Sequence, residues 1–231
     1  STLLASSAAS DVYKRQNIMR EILCFGDSNT YGYIPGHYEK APARYPWGIR
    51  WTSLLNEKLG KEDYRVIEEG LCGRTTVFED SFRAYRNGSE MLPAILETHQ
   101  NVDLVILMLG TNDCKAVYGT TPEIIGRGIE KLIRQLREYA PESQLLLVSP
   151  IHLGEDVWKS EYDPEFSMES VDISKGLEAV YQRIADKEGI PFLAASSVAQ
   201  PSKTDEEHMD EENHALFAQA VYQKISREIF R

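Results

Sequence analysis

The sequence predicts an α/β protein, a three-layer α/β/α sandwich around a five-stranded parallel sheet. Two observations support this prediction. From Arg20 onward, short apolar segments alternate with longer amphipathic segments, which is the order expected of repeated β-then-α units. The apolar segments are nearly continuous in Val, Ile, Leu and Phe, as in strands that helices cover on both faces.

Five strands are predicted, and each ends at a small or turn-forming residue. They lie at residues 21–26, 64–70, 103–110, 144–150 and 190–195. Amphipathic helices are predicted at residues 47–60, 89–100, 122–140, 170–189 and 210–230. Pro122 suits the first turn of a helix, and Gly60 and Gly189 suit helix ends. Trp47 and Trp51, four residues apart on the first of these helices, are predicted to pack in the core or at an interface.

Charge, hydropathy and cysteine content argue against several kinds of partner, covalent cross-link and metal site. The 231 residues carry a formal net charge of −11 and no dense run of Lys or Arg, which argues against nucleic acid or an anionic membrane as partner. No apolar run approaches the roughly 18 residues of a membrane span. The three cysteines, Cys24, Cys72 and Cys114, include no CxxC pair. We therefore expect no disulfide framework, no metal site, and a reducing, cytoplasmic compartment.

Residues 19–231 are predicted to form one domain, because no linker or internal repeat divides them. Residues 1–18 are rich in Ser and Ala, and their positive charges follow the weakly apolar part, the reverse of a signal peptide. We interpret them as a disordered extension or a cloning remnant. Residues 151–166 form the one long irregular insertion and are a candidate lid.

Chemistry-bearing residues follow the predicted strands, at the edge where ligands bind in sheets of this kind. The loop after the first strand reads GDSNT, the second GLCGRTT, the third GTNDCK and the last TDEEHMDEENH. In this order the loops supply a serine, a glycine, an asparagine, and an aspartate with a histidine three residues later. These are the parts of a serine hydrolase.

A serine becomes an effective nucleophile when an imidazole takes its proton and a carboxylate orients that imidazole. Ser28 lies in the first loop, and Asp205 and His208, at positions i and i+3, can meet across one turn. Each has an ordinary alternative: GDSN is typical of a turn, and the acidic run is typical of a solvated helix start. The placement of four motifs at four strand ends favours the hydrolase.

Donors for a developing oxyanion are available from three of these loops. The backbone N–H groups of Ser28 and Gly73 and the side-chain amide of Asn112 can converge on one point. This chemistry requires no cofactor.

The four motifs resemble those of the SGNH/GDSL hydrolase superfamily. FGDSNT, GLCGRTT, LGTNDCK and DEEH match its four blocks, and VIEEGLCGRTT and VILMLGTNDCKA resemble its arylesterase and acyltransferase branch. The resemblance runs from about residue 22 to the end of the chain. It implies a flavodoxin-like sheet and a homo-oligomer whose neighbouring chains narrow the acyl site. It also implies that Ser28 is the nucleophile, His208 the general base and Asp205 the partner that orients His208. Ser28, Gly73 and Asn112 would form the oxyanion hole.

One position departs from the family pattern. Glu206 stands where the last block usually has glycine, so a left-handed backbone is disfavoured there. Glu211 and His214 repeat the acid-to-histidine spacing, but they fall in the last predicted helix, where surface display is expected.

Other residues near the motifs receive smaller roles. Tyr31, three residues after the nucleophile, is a candidate wall of the acyl pocket, although ordinary packing is the alternative. Arg74, with the two threonines that follow it, is expected to tie the second loop down. His152, just past the fourth strand, is a candidate substrate contact.

The sequence supports a serine carboxylester hydrolase that acts on short acyl esters, such as acetyl esters of aryl alcohols or sugars, through an acyl-enzyme. Acyl transfer to an alcohol is the same chemistry with a different second nucleophile. The alternative is a non-catalytic, flavodoxin-like module that binds a phosphate at the first loop. Asp27 would repel a phosphate there, and such a module does not need Asp205 and His208.

The acidic run around His208 predicts that the pKa of its imidazole is raised above about 6.5. Asp205 is expected to contact the imidazole. The other nearby carboxylates are expected to be solvated and to act at longer range; they are Glu206, Glu207, Asp210, Glu211 and Glu212.

Overall fold

The computed structural model describes residues 19–36, 42–99 and 101–230. Residues 1–18, and the prediction made for them, lie outside these ranges.

Five strands form one parallel sheet, as predicted. They are β1 (Arg20–Gly26), β2 (Tyr64–Gly70), β3 (Leu104–Met108), β4 (Gln144–Ser149) and β5 (Phe192–Ala194). Their order is β2-β1-β3-β4-β5, with Ile22 of β1 in register with Val66 of β2 and Leu104 of β3. This is the flavodoxin-like order. Strands are added on one side of β1 and then, from β3 onward, on its other side, which leaves a crevice at the carboxyl ends of β1 and β3.

Helices cover both faces of this sheet. The α-helices of the described residues are α1 (Ser28–Tyr31), α2 (Trp51–Leu59), α3 (Gly88–Thr98), α4 (Pro122–Tyr139), α5 (Met168–Glu188) and α6 (Glu211–Lys224). Short 3₁₀ turns span Asn112–Cys114, Ala116–Tyr118 and Ala195–Ser197, and Ile225–Ile229 is π-helical. The three-layer α/β/α sandwich predicted from the sequence is therefore confirmed.

Capping residues explain where the long helices begin and end. Thr121 accepts a hydrogen bond from the Ile124 N–H, and Pro122 follows it at the first helical position of α4. Ser167 and Ser170 form a reciprocal capping box at the start of α5. Gly189 ends α5 in the left-handed conformation that glycine adopts without strain.

The core has two layers, one on each face of the sheet. Helices α3, α4 and α5 pack in sequence on one face, and their buried side chains include Leu92, Ile129 and Leu177. Helices α2 and α6 pack together on the other face, where the rings of Trp51 and Phe217 meet edge to face with their centroids 5.0 Å apart.

The first predicted helix is shorter than expected. It begins at Trp51, which is fully buried, whereas Trp47 precedes the helix and is 49% exposed. The pairing of Trp47 and Trp51 on one helical face is therefore wrong. Within residues 19–36, 42–99 and 101–230, no helix has the length and apolar content needed to cross a bilayer.

Candidate active site

Ser28 is the first residue of α1, directly after the carboxyl end of β1. Asp27 caps this helix, and its carboxylate accepts the backbone N–H of Asn29 at 3.0 Å. Gly32 closes the single turn in the left-handed conformation. The serine is thereby held on a sharp bend between strand and helix, with its hydroxyl at the crevice.

His208 connects Ser28 to Asp205, as the sequence predicted. Its Nε2 lies 2.9 Å from Ser28 Oγ, and its Nδ1 lies 2.8 Å from Asp205 Oδ2. In the neutral imidazole that carries its proton on Nδ1, the ring donates to Asp205 and accepts from the serine hydroxyl. This is the hydrogen-bonded chain that general-base activation of a serine requires.

Asp205 is held in place by backbone donors. Its Oδ1 accepts the N–H groups of Glu207 and His208, at 3.1 and 2.9 Å, and its Oδ2 accepts the N–H of Gly36 at 3.2 Å. Burial alone would raise the pKa of this carboxyl, but the hydrogen bonds and charge of His208 outweigh burial and lower the pKa. Asp205 therefore remains a carboxylate that stabilises an imidazolium.

The turn from Asp205 to His208 uses a left-handed residue at Glu206, with φ of 59°. The substitution of glycine by glutamate was expected to disfavour this conformation, and the backbone adopts it nonetheless. The Glu206 carbonyl accepts the Gly154 N–H at 2.7 Å, and its carboxylate lies 3.3 Å from Lys203 Nζ. These contacts hold the residue in a conformation that costs a non-glycine residue about 1 kcal/mol or more.

Glu207 is buried beside the imidazole and Glu206 is buried as well, so the expectation that these two carboxylates are solvated is wrong. The Oε1 of Glu207 lies 3.7 Å from His208 Nε2. Burial raises the pKa of Glu207 to about 7 against the opposing charge of His208. Burial also lowers the pKa of His208, but the charge of Glu207 and the contact with Asp205 outweigh it and raise that pKa to about 9. The predicted direction for His208 is confirmed.

Asn29 joins the serine loop to the histidine loop. Its side-chain oxygen accepts the Met209 N–H at 2.9 Å, and its amide donates to the Glu207 carbonyl at 3.4 Å. Trp51 donates from its indole N–H to the Asn29 carbonyl at 3.1 Å. Asn29, the position after the serine in GDSN, therefore fixes the distance between Ser28 and His208, a role that the sequence pattern did not indicate.

Gly73 and Asn112 line the same crevice as Ser28, from the loops after β2 and β3. Gly73 has φ of +83°, which favours glycine. The Asn112 amide donates to the Arg74 carbonyl at 3.1 Å, which leaves its second proton for a ligand. The N–H groups of Ser28 and Gly73 have no hydrogen-bond acceptor among the described residues. These groups are the donors predicted for an oxyanion.

Two buried side chains fix the loops that carry these donors. The Arg74 guanidinium donates to the Gly26 carbonyl at 2.8 Å and packs over the Phe25 ring, so Arg74 ties the second loop down as expected. The Asp113 carboxylate accepts the Thr76 N–H at 3.0 Å and also binds the Thr76 hydroxyl. The loops after β1, β2 and β3 are thereby connected to one another.

The crevice is an open cavity of about 450 Å³ above Ser28 and His208. Tyr33 lines it and stacks against the imidazole, with 4.4 Å between ring centroids. Tyr31 is not among its described lining residues; its hydroxyl donates to the Pro42 carbonyl at 3.3 Å. The aromatic wall is thus two residues further along than the sequence analysis placed it.

Residues 151–166 contain only turns and contribute to the mouth of the crevice through Asp163 and Glu165. Glu165 forms an ion pair with Lys115, which also lines the cavity. His152 is not among the lining residues and lies 3.9 Å from Glu178 instead. The candidate lid therefore reaches the site through its carboxylates and not through His152.

The three cysteines are free. Cys72 lines the crevice, but burial raises the pKa of its thiol to about 12, so it is not a competing nucleophile. In the ranges that the structure describes, no three His, Cys, Asp or Glu side chains are grouped as a metal site would need.

Comparisons with known proteins agree with this geometry. Residues 24–216 match the model of the GDSL-like Lipase/Acylhydrolase family. The carbohydrate acetylesterase Est24 from Sinorhizobium meliloti is 36% identical, with a TM-score of 0.82 over 90% of this chain and 98% of its own. An aryl esterase from M. smegmatis is 34% identical, with the same TM-score and the same coverage of both chains. No curated protein sequence is significantly similar. This chain belongs to the GDSL-like lipase/acylhydrolase family, and it is a carboxylic ester hydrolase of the SGNH type.

Proposed function

We propose that this chain hydrolyses short acyl esters through an acyl-enzyme formed on Ser28. The observation that carries the proposal is the continuous hydrogen-bonded chain from Ser28 Oγ through His208 to Asp205, at 2.9 and 2.8 Å. In the first step His208 takes the serine proton as the hydroxyl attacks the ester carbonyl. The imidazolium that forms is stabilised by Asp205 and then protonates the departing alcohol.

The N–H groups of Ser28 and Gly73 and the side-chain amide of Asn112 stabilise the negative charge that develops on the oxygen of the tetrahedral intermediate. Removing one such donor typically costs about a hundred- to a thousand-fold in rate. In the second half of the reaction, His208 activates a water molecule, which attacks the acyl-enzyme and releases the acid. An alcohol in place of water would give acyl transfer by the same steps.

The relatives suggest the substrate class. One is named a carbohydrate acetylesterase and another an aryl esterase. We therefore propose acetyl and other short acyl esters of sugars or aryl alcohols as substrates.

The test is an ester panel from p-nitrophenyl acetate to octanoate, with acetylated sugars, on wild type and Ser28→Ala. We expect Ser28→Ala to fold and to lose at least about a thousand-fold in kcat/KM. Mass spectrometry of wild type quenched during turnover is expected to show Ser28 acylated. Ser226→Ala, at an exposed serine near the C-terminus, is the control. Wild-type turnover in Ser28→Ala on every ester would overturn the proposal.

We also propose that the protein forms a homo-oligomer in the cytoplasm. Phe82 and Tyr85, next in sequence to the crevice-lining Arg83 and Arg86, are 88% and 73% exposed, which is unusual for aromatic side chains that no partner covers. The three free thiols suit a reducing compartment. Light scattering tests the oligomer, and Phe82→Asp is expected to weaken it.

A further inference from the structure

The loop between β2 and α3 turns its arginines toward the active site and its aromatic residues toward solvent. Arg83 and Arg86 both line the crevice that contains Ser28 and His208 and are only partly exposed. Phe82 and Tyr85, beside them, are the exposed ones. Surface loops ordinarily do the reverse, because a guanidinium is better solvated than an aromatic ring. The acyl-transfer steps described above use neither arginine.

Both guanidinium groups are held in fixed orientations. Arg83 Nε donates to Asp80 at 3.0 Å, and the carboxylate of Asp80 also accepts the Phe82 and Arg83 N–H groups. Arg86 donates from Nε to the Cys72 carbonyl at 3.0 Å and from Nη1 to the Ala84 carbonyl at 2.8 Å. Within the described ranges, both terminal nitrogens of Arg83 and Nη2 of Arg86 have no hydrogen-bond acceptor. The arginines thus offer spare donors to a ligand in the crevice.

These donors lie next to the site of the reaction. A Cβ on Gly73 would lie 2.7 Å from Nη2 of Arg83, so this guanidinium lies against the backbone of an oxyanion-site residue. Arg86 is anchored on Cys72, the residue before it. An anionic group that reached this corner would therefore be close to the scissile carbonyl.

The charge at this corner of the crevice also favours an anion. Among the described residues, the two arginines form an ion pair with one carboxylate, Asp80. The crevice is also lined by Asp163, Glu165 and Glu207, of which Glu165 pairs with Lys115 and Glu207 with His208. Burial and the neighbouring Arg83 lower the pKa of Arg86, which indicates that the two positive charges repel each other. A carboxylate between them would relieve this repulsion and accept charge-assisted hydrogen bonds from both.

We propose that Arg83 and Arg86 bind a carboxylate carried by the ester substrate, so that preferred substrates are esters with an anionic group near the scissile bond. The inference rests on the proposed esterase function of the same site. The carboxylate could belong to the alcohol, as in an acylated sugar acid or hydroxy acid, or to the acyl group, as in a half-ester of a dicarboxylic acid. The chemistry recognised is the same in both.

The experiment uses matched pairs of substrates that differ in one charge. For the alcohol side, 3-acetoxybenzoate is compared with methyl 3-acetoxybenzoate, and for the acyl side, monophenyl succinate with its methyl ester. Each kcat/KM is divided by the rate of hydroxide-catalysed hydrolysis of the same ester. We expect the anionic member of at least one pair to be preferred about tenfold or more, and that pair identifies the source of the carboxylate.

The variant Arg83→Gln/Arg86→Gln is expected to bring this preference to about one or below. The control Arg65→Gln/Arg183→Gln replaces two exposed arginines away from the crevice and is expected to keep the preference. If the double variant does not fold, Arg83→Gln alone is used, with an expected loss of about threefold in preference.

Two outcomes overturn the anion site. One is a wild-type enzyme that turns over neutral and anionic members equally or prefers the neutral ones. The other is a preference that survives the arginine substitutions in folded protein. Both leave the esterase function intact, whereas failure of wild type on all four esters and on p-nitrophenyl acetate would overturn the proposed function itself.

Discussion

His208 and His214 lie six residues apart, and each follows an acidic residue by three positions, yet their environments shift the pKa in opposite directions. His208 contacts two carboxylates, and its pKa is raised to about 9. Burial lowers the pKa of His214 to about 4, against the weaker opposing charge of Asp210. The backbone N–H of Trp51 donates to His214 Nδ1 at 3.3 Å. The neutral ring can accept this hydrogen bond, whereas the charged ring, protonated on both nitrogens, cannot.

The difference shows that contact with carboxylates, and not sequence spacing, raises the pKa of a histidine. His214 packs edge-on against Tyr45 inside the interface of α2 and α6, so the surface display expected for it is wrong. His208 is also buried, although it lines the crevice, and two carboxylates compensate the charge it acquires.

The largest effect expected from this comparison is on turnover. His208→Ala removes the proposed general base and is expected to lower kcat by at least about a thousand-fold in a folded protein. His214→Gln preserves an acceptor for the Trp51 N–H and is expected to keep kcat within a few-fold. Ester hydrolysis and a thermal melt are measured for both. Comparable losses of kcat in the two folded variants would contradict the distinction.

The second effect is on stability in acid. The pKa of His214 is about 6.5 in the unfolded chain and about 4 in the folded chain. Between these values protonation favours the unfolded chain, so stability is lost as the pH falls through this window. Between pH 7 and pH 4, the free energy of unfolding of wild type is expected to fall by about 3 kcal/mol more than that of His214→Gln. Urea unfolding at a series of pH values measures this. Parallel curves for the two proteins would show that His214 is not the group responsible.

The third effect is on the pH dependence of catalysis. A general base must be neutral, so kcat/KM is expected to rise with pH through the raised pKa of His208. Glu207→Gln removes the nearest charge from Nε2 and should move this rising limb about one pH unit lower. Glu211→Gln, at an exposed carboxylate on α6, is the matched control and should move it much less. A limb that stays in place in folded, active Glu207→Gln would assign the shift to Asp205.

The smallest effect expected is none. If carboxylates alone account for the raised pKa of His208, then EDTA should change neither kcat nor the position of the limb. A divalent cation beside the imidazole would instead lower its pKa. Activity that is lost in EDTA and restored by a divalent metal would therefore show that the carboxylates alone do not set the environment of His208.

Regular elements were predictable because they depend on local pattern. The five strands appear where continuous apolar runs place them, and Pro122 marks the start of α4. Ser28, Asp205 and His208 were predictable too, because their motifs follow strand ends that the topology brings to one edge.

Side-chain direction in irregular segments was not predictable. Glu207 reads as one more carboxylate in an acidic run, and only the turn at Glu206 directs it inward. Arg83 and Arg86 alternate with aromatic residues in a loop without period, so no pattern indicates which set faces the crevice. Tyr33 and Asn29 act through contacts with residues far along the chain.

The hydrogen bonds of Asn29 and Ser28 with the turn at His208 join residues about 180 positions apart. Contacts of such long range require a large part of the chain to be brought together, at a cost in loop-closure entropy. Until the turn docks, Ser28 is an ordinary alcohol with no base beside it. A partly folded or unfinished chain is therefore expected to lack hydrolytic activity, and the recovery of activity during refolding would report on the docking of this turn and not on formation of the sheet alone.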